Sequence, residues 1–235
     1  MSLKSDYADI MEAARLLGVT TRHVTRLGDR GEIDVPFRGL VDRDSIDRYL
    51  AERRGLMRGR AWDERTAWAS IALLSGLDVD WLGQAQVSRL RTRLRDMATG
   101  IDDDSGAHVL IGKTRSRATA QTFESFDFLT SRVKKEILVV GRRGLGLAAT
   151  KKTDVDGYVA TDDLAGIVKR YVLVPDFRGK MILRVTGFDM ATVKRISVKG
   201  NGALAALDAA SSLDSREHHI GARALAKIME EFARD

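Results

Sequence analysis

The chain has 235 residues, enough for one large domain or for two small ones that each bury a core, and two modules is the expectation. A composition of 44% hydrophobic and 31% charged residues describes a globular chain and excludes a disordered or membrane-embedded one. The absence of cysteine excludes disulfides, thiolate zinc sites, iron–sulfur clusters and cysteine nucleophiles together, and the net charge of +6 is concentrated in residues 113–152, which hold ten Lys/Arg against three Asp/Glu.

Such a basic block most often faces nucleic acid. The longest uncharged apolar stretch, Ala67 to Leu77, is shorter than the roughly 20 residues of a membrane helix. The opening MSLKSDYADI has no signal-peptide core, so the expected location is the cytoplasm, with no membrane partner.

From the N-terminus, Ala8 to Leu17 predicts a helix with Ile10, Ala13, Ala14 and Leu17 on one face, ended by Gly18. Val19 is a buried spacer. Thr20 caps a second helix from Thr21 to about Gly28, with Val24 and Leu27 inward and Thr21, Arg22, His23, Thr25 and Arg26 outward. Helix, glycine turn and short basic helix is the order of a helix-turn-helix, whose second helix enters the major groove; Arg suits guanine there, and Thr a phosphate or the thymine methyl. A turn at Gly31 leads to an extended piece, Ile33 to Val41, broken by Pro36 and Gly39, with Arg38 near its tip. A third helix follows, with Ile46 and Tyr49/Leu50 inward.

The run EAARLLGVTTRHVTRLGDRGEI … FRGLVDRDSIDRYLAERR resembles the excisionase and MerR-like winged helix-turn-helix domains. The resemblance implies that Thr20, Thr21, Arg22, His23, Thr25, Arg26 and Arg30 lie against double-stranded operator DNA, with Arg38 in the wing. One departure concerns that wing, where the family often has several basic residues: here Glu32, Asp34 and Asp42 surround a single arginine.

An Arg/Gly-rich linker, Arg53 to Arg60, sets the expected boundary, giving a DNA-binding domain over 1–58 and a basic α/β regulatory domain over 59–235. Trp62 to Ser75 predicts a buried helix. Gln84 to Ala98 predicts another, with Val87, Leu90, Leu94 and Met97 as its core stripe and Arg89, Arg91, Arg93 and Arg95 on its other sides, facing either phosphate or solvent. After an acidic turn at Asp102–Asp104, the runs AHVLIG and RATAQTF read as strands. A helix around Phe126 to Lys135 and the strand ILVVG come next. GRRGLG lacks the spacing of a dinucleotide or phosphate loop; with Arg142, Arg143, Lys151 and Lys152 around it, it reads as a flexible basic loop against DNA phosphates or another macromolecule. VDGYV reads as a strand. Then come a helix capped by Thr161 with Leu164, Ile167, Val168 and Tyr171 inward, the strand MILRVTGF, and two closing helices, Ala203 to Ser211 and Asp214 to Phe232. The expected fold class is α+β, an N-terminal winged helix-turn-helix followed by a mixed α/β domain with a helical C-terminus.

No catalytic set emerges. The four histidines, 23, 108, 218 and 219, fall on different elements without carboxylates at metal-ligand spacing, and Asp102–Asp104 lacks the glycine and closing Glu of a calcium loop. The expectation is a protein without enzymatic activity, cofactor or metal.

The stretch DVDGYVATDDLAGIVKRYVLV … GKMILRV … ALDAASSLDSREHHIGARAL resembles the C-terminal region of AbiEi-type antitoxins. That resemblance implies a repressor of its own toxin–antitoxin operon that counteracts a co-encoded, nucleotidyltransferase-like toxin. An excisionase-like recombination accessory or architectural factor is the alternative, and a toxin-binding module with incidental DNA contacts a third. The oligomeric state stays open, a monomer on repeated sites being one arrangement.

Overall fold

Asp9 decides where the first helix begins. Its carboxylate accepts the amides of Met11 and Glu12 at 2.9 and 2.8 Å, so strand β1 (Tyr7–Asp9) turns directly into α1 (Ile10–Leu17). Ala8, expected to be helical, instead pairs with Val41 in the sheet. The computed structural model describes residues 7–30, 32–43, 45–46, 49–50, 60–100, 103–145, 155–176, 179–212 and 214–235, with the backbone alone at 103–105, 143 and 215. Two compact units, Met1–Arg58 and Gly59–Asp235, divide the chain.

In the first unit Gly18 takes a left-handed φ of 64° and ends α1, as its lack of a Cβ permits. Thr20 then accepts the amide of His23 at 3.3 Å and starts α2 (Thr21–Asp29). The extended piece differs from expectation: its one regular strand, β2 (Leu40–Asp42), pairs antiparallel with β1. A tight turn precedes it, in which Leu40 N donates to Phe37 O at 3.0 Å across Gly39, whose φ is 83°. Helix α3 is described at Arg43, Ser45, Ile46, Tyr49 and Leu50. Ala8, Ala13, Val24, Leu27, Ile33, Val41, Ile46 and Tyr49 form the core of this unit.

The second unit is a mixed α/β body that closes on helices. Its strands are β3 (Thr119–Glu124), β4 (Leu138–Val139), β5 (Val155–Ala160), β6 (Val174–Pro175) and β7 (Met181–Thr186), in the order β4-β5-β7-β3-β6. Only β5 and β7 run parallel, joined through α8 (Thr161–Arg170). Side-chain alternation gives the sheet two different faces. Val155, Val159, Met181, Leu183 and Val185 pack with α7 (Thr130–Glu136) and α8 residues in one core. Tyr158 belongs to the other core, with α4 (Glu64–Leu74), α5 (Gln84–Ala98), α6 (Asp103–Lys113), α9 (Met190–Lys199), α10 (Ala203–Ala210) and α11 (Ser215–Arg234).

Three expectations are corrected here. AHVLIG is helical, within α6, and not a strand: Ala107 and Leu110 are buried at a spacing of three, and a Cβ on Gly106 would stand 2.2 Å from the Met97 carbonyl oxygen, so this face lies hard against the end of α5. Thr161 is not a cap, because Ala160 holds that position and makes no side-chain bond. Helix α9 was not expected at all, although Asp189 caps it by accepting the Thr192 amide at 2.7 Å, and Val193 and Ile196 bury its inner face.

Two glycines make opposite predictions. A Cβ on Gly221 of α11 would meet Ala210 N at 2.2 Å and Ala206 O at 2.7 Å, so Gly221→Ala is expected to force α10 and α11 apart and cost about 1–3 kcal/mol. Gly166, exposed in α8 with nothing near its Cβ position, is expected to gain roughly 0.5–1 kcal/mol on substitution by Ala. Denaturant midpoints of the two variants check both signs.

Candidate nucleic-acid interface

On α2 the buried pair Val24 and Leu27 turns Thr21, Arg22, Thr25 and Arg26 to the outside, where all four are exposed. Arg22 and Arg26 stand one turn apart, as do Thr21 and Thr25, so arginines and hydroxyls form two adjacent rows. The Thr25 hydroxyl donates back to Thr21 O at 3.2 Å. Among the described residues no carboxylate pairs with Arg22 or Arg26. Arg30, at the end of the helix, is partly spoken for: it lies 3.7 Å from Glu32, both side chains exposed.

His23 departs from the expected pattern. It is half-buried, with Nε2 shielded from solvent and unbonded among the described residues, because its position four before Leu27 places it on the flank of the buried stripe. Arg38 is exposed in the turn before β2, with Phe37 beside it 60% exposed. At the base of that turn Val35 presses on α2, since a Cβ on Gly28 would lie 2.6 Å from its methyl group. Arg43 pairs with Glu12 and ties α3 to α1, so each charge is answered by the other although both side chains stay about a third exposed.

The basic block of the second unit is arranged differently from expectation. Lys151 and Lys152 lie outside the described residues, as does the side chain of Arg143. Arg142 is no free cation: its guanidinium, 14% exposed, binds Asp156 on β5 and, at 2.9 Å, Glu217 on α11. A guanidinium held by two carboxylates has little left for a phosphate, so the expected phosphate contact by Arg142 is corrected to an internal ion pair.

That pair is the outer end of a buried network that sequence reasoning missed. Arg184 of β7 binds Asp156 through Nε and Nη2 at 2.7 and 2.9 Å, a two-pronged contact. Arg117, just before β3, donates to Asp208 of α10 at 2.9 Å and to the Tyr158 hydroxyl at 3.1 Å, and Tyr158 in turn donates to Asp208 at 2.7 Å. Beside it the Trp68 indole donates to Arg117 O and to the Thr186 hydroxyl, and Thr186 donates to Glu64 at 2.7 Å. Burial alone would lower the affinity of Arg184 for its proton, but Asp208 and Asp156 outweigh it and hold the group well above the usual arginine range. Burial likewise pushes Asp156 up, and Arg184 and Arg142 more than reverse it, so its carboxyl lies below the usual carboxylate range. Burial, reinforced by Asp208, raises the Tyr158 phenol. Every side chain here is engaged by another, so the chemistry is that of a structural seam. Its signal was present in the strands, where Asp156 and Tyr158 alternate with Val155 and Val159, and Arg184 sits between Leu183 and Val185.

Comparison with family models, curated proteins and solved structures returned no match. The remaining surfaces of the second unit therefore rest on their own geometry. Arg89, Arg91, Arg93 and Arg95 of α5 are all exposed, and Arg95 lies 5.7 Å over the Phe232 ring. Arg91 and Arg95 line an open groove of about 270 Å³ with Leu73, Leu77, Asp78 and Phe232. Two histidines distant in the chain lie together, His108 and His218 with ring centroids 5.5 Å apart, and His219, next to His218 in the chain, has its ring 5.8 Å from that of His218. Among the described residues no three His, Asp or Glu side chains group as metal ligands would.

The seam makes a pH prediction. A carboxylate whose folded pKa is depressed contributes stability above its unfolded value and loses it as pH falls, so unfolding titrations should show stability dropping below about pH 4. Asp156→Asn should flatten that slope. Asp208→Asn, which leaves Arg117 buried against a neutral amide, is expected to cost about 3–5 kcal/mol at neutral pH in denaturant melts.

Proposed function

We propose that this chain is a sequence-specific DNA-binding regulator in which α2 is the reading helix of a winged helix-turn-helix. The observation that carries this reading is the outer face of α2, where Thr21, Arg22, Thr25 and Arg26 are exposed together and the two arginines have no carboxylate partner among the described residues. A guanidinium can donate two bonds to the guanine edge, and a capped helix after a tight turn can lower its first turn into the major groove. Arg38, exposed in its turn, serves as the wing contact, and Arg30 as a phosphate contact. His23, half-buried, contributes less than its sequence position implied.

The test is binding to the DNA upstream of the chain's own gene. Arg22→Ala and Arg26→Ala are each expected to cost roughly 1–3 kcal/mol of specific affinity in a mobility-shift titration, with far less effect on unrelated duplex. Specific binding unchanged by both substitutions would remove α2 from the interface.

The sequence resemblance of the stretches DVDGYVATDDLAGIVKRYVLV, GKMILRV and ALDAASSLDSREHHIGARAL to AbiEi-type antitoxins is our ground for a further role, repression of a toxin–antitoxin operon and neutralisation of the neighbouring toxin. A division of labour follows from size, because a module of about 58 residues buries little beyond what docking one groove requires, whereas residues 59–235 carry two cores. In cells expressing the neighbouring gene, full-length protein and residues 59–235 are expected to restore growth and residues 1–58 to fail. Rescue by residues 1–58 alone, or a neighbouring gene that is harmless, overturns the antitoxin role and leaves the DNA-binding role to stand on the binding test.

A further inference from the structure

Four large apolar side chains crowd one margin of the second unit's sheet: Phe126 at 62%, Phe128 at 69%, Val172 at 63% and Val174 at 59% exposure. Val174 stands opposite Glu124 in the β3–β6 pair, and Val172 and Phe126 lie two residues further along the same antiparallel direction. The rings of Phe126 and Phe128 stack on each other, 5.6 Å between centroids. Their neighbours Phe123 and Leu173 are buried on the core side, so these four form an outward apolar surface that no described residue of this unit covers.

Val172 shows that this surface is kept at a cost. It is the one described residue other than glycine with a positive φ, 50°, and it holds the position just past the end of α8, where Leu173 N donates back to Val168 O at 3.0 Å. Glycine is the usual occupant of that left-handed position, and a β-branched side chain is strained there. Exposed as it is, the valine recovers little by burial within its own unit.

The occupant can be argued from charge, hydrogen bonding and area. Glu124 and Asp127 are exposed beside the rings and oppose a nucleic acid. An added strand would find few donors, since Pro175 has no N–H, Asp176 N donates to Thr122 O, and Leu173 N is taken by Val168. Arg132, exposed about one turn beyond Phe128, gives the rim both signs of charge. An apolar centre with a mixed rim complements itself about a two-fold axis, acid of one copy against arginine of the other. The four side chains expose roughly 400 Å² of apolar surface. Two copies would thus bury about 800 Å², below the roughly 1,200 Å² of a stable complex.

We propose that a second copy of this chain docks on this surface, ring pair against ring pair, in a weak and reversible dimer. The proposal is independent of DNA binding. Sedimentation velocity of the full-length chain from about 5 to 200 µM is expected to show a coefficient that rises with concentration. The double variant Phe126→Ser/Phe128→Ser should stay monomeric throughout, and Val172→Gly should weaken association several-fold while its thermal midpoint stays level or rises. Because all three side chains are exposed, unchanged circular dichroism separates lost association from lost folding. A wild type that is monomeric at the highest concentration overturns the proposal and leaves the surface to a different protein. Variants that associate like wild type, or a Val172→Gly protein less stable than wild type, overturn it as well.

Discussion

The second unit depends on one arrangement, the burial of Arg117 and Arg184 between a sheet and a helical layer with Asp208 and Asp156 as their counter-charges. A sheet face carrying Asp156, Tyr158, Arg184 and Thr186 cannot be packed against helices by apolar contact alone, because every polar atom removed from water needs a partner. The network supplies those partners across the seam. Hydrophobic burial on both sides provides the driving force, and the ionic contacts select one register: sliding β7 by a single residue would send Arg184 into the opposite core and leave Asp208 and Asp156 facing apolar side chains. Such a seam adds more to uniqueness than to stability, since buried ion pairs roughly balance their own desolvation.

The same arrangement explains how the positive charge of the chain divides. Sequence counts treat all arginines alike, yet Arg117, Arg142 and Arg184 are internal, while Arg22, Arg26 and the α5 arginines are exposed. A basic stretch at residues 113–152 therefore overstates the charge its surface presents. The outer face of α2 is modest in charge by comparison, but none of its two arginines' charge is cancelled by a described neighbour.

Legibility followed local physics. The cap at Thr20 and the left-handed glycines Gly18 and Gly76 could be read directly, though the Thr161 cap could not, and amphipathic stripes placed α1, α2 and α5 within a few residues, as the apolar runs near the C-terminus did α10 and α11. Short apolar runs could not: Ala107 to Gly112 carries the same residues a buried strand would, and its helical form shows in the burial of Ala107 and Leu110 at a spacing of three, with Gly106 against the end of α5. The short β1 was hidden because Ala8 fits both the helical stripe and the strand, and Asp9 decides between them through two amide bonds. In the candidate interface, the outward positions of Arg22 and Arg26 follow from spacing alone. The ion pairs of Arg142 do not, since its partners are 14 and 75 residues away in the chain.

Trp68 lies at the centre of the seam, fully buried, edge-on to Tyr158 at 5.4 Å and stacked with Phe188 at 5.9 Å. The chain has three tryptophans, Trp62, Trp68 and Trp81, all in the second unit, whereas the first unit contributes only the tyrosines Tyr7 and Tyr49 to near-ultraviolet absorption. Excitation at the red edge of the indole band is thus blind to the first unit. Loss of the blue emission of a dry indole would report the parting of sheet and helices, while a far-ultraviolet signal would follow both units. The chain carries in Trp68 its own optical probe, one that can time the opening of one unit against that of the other.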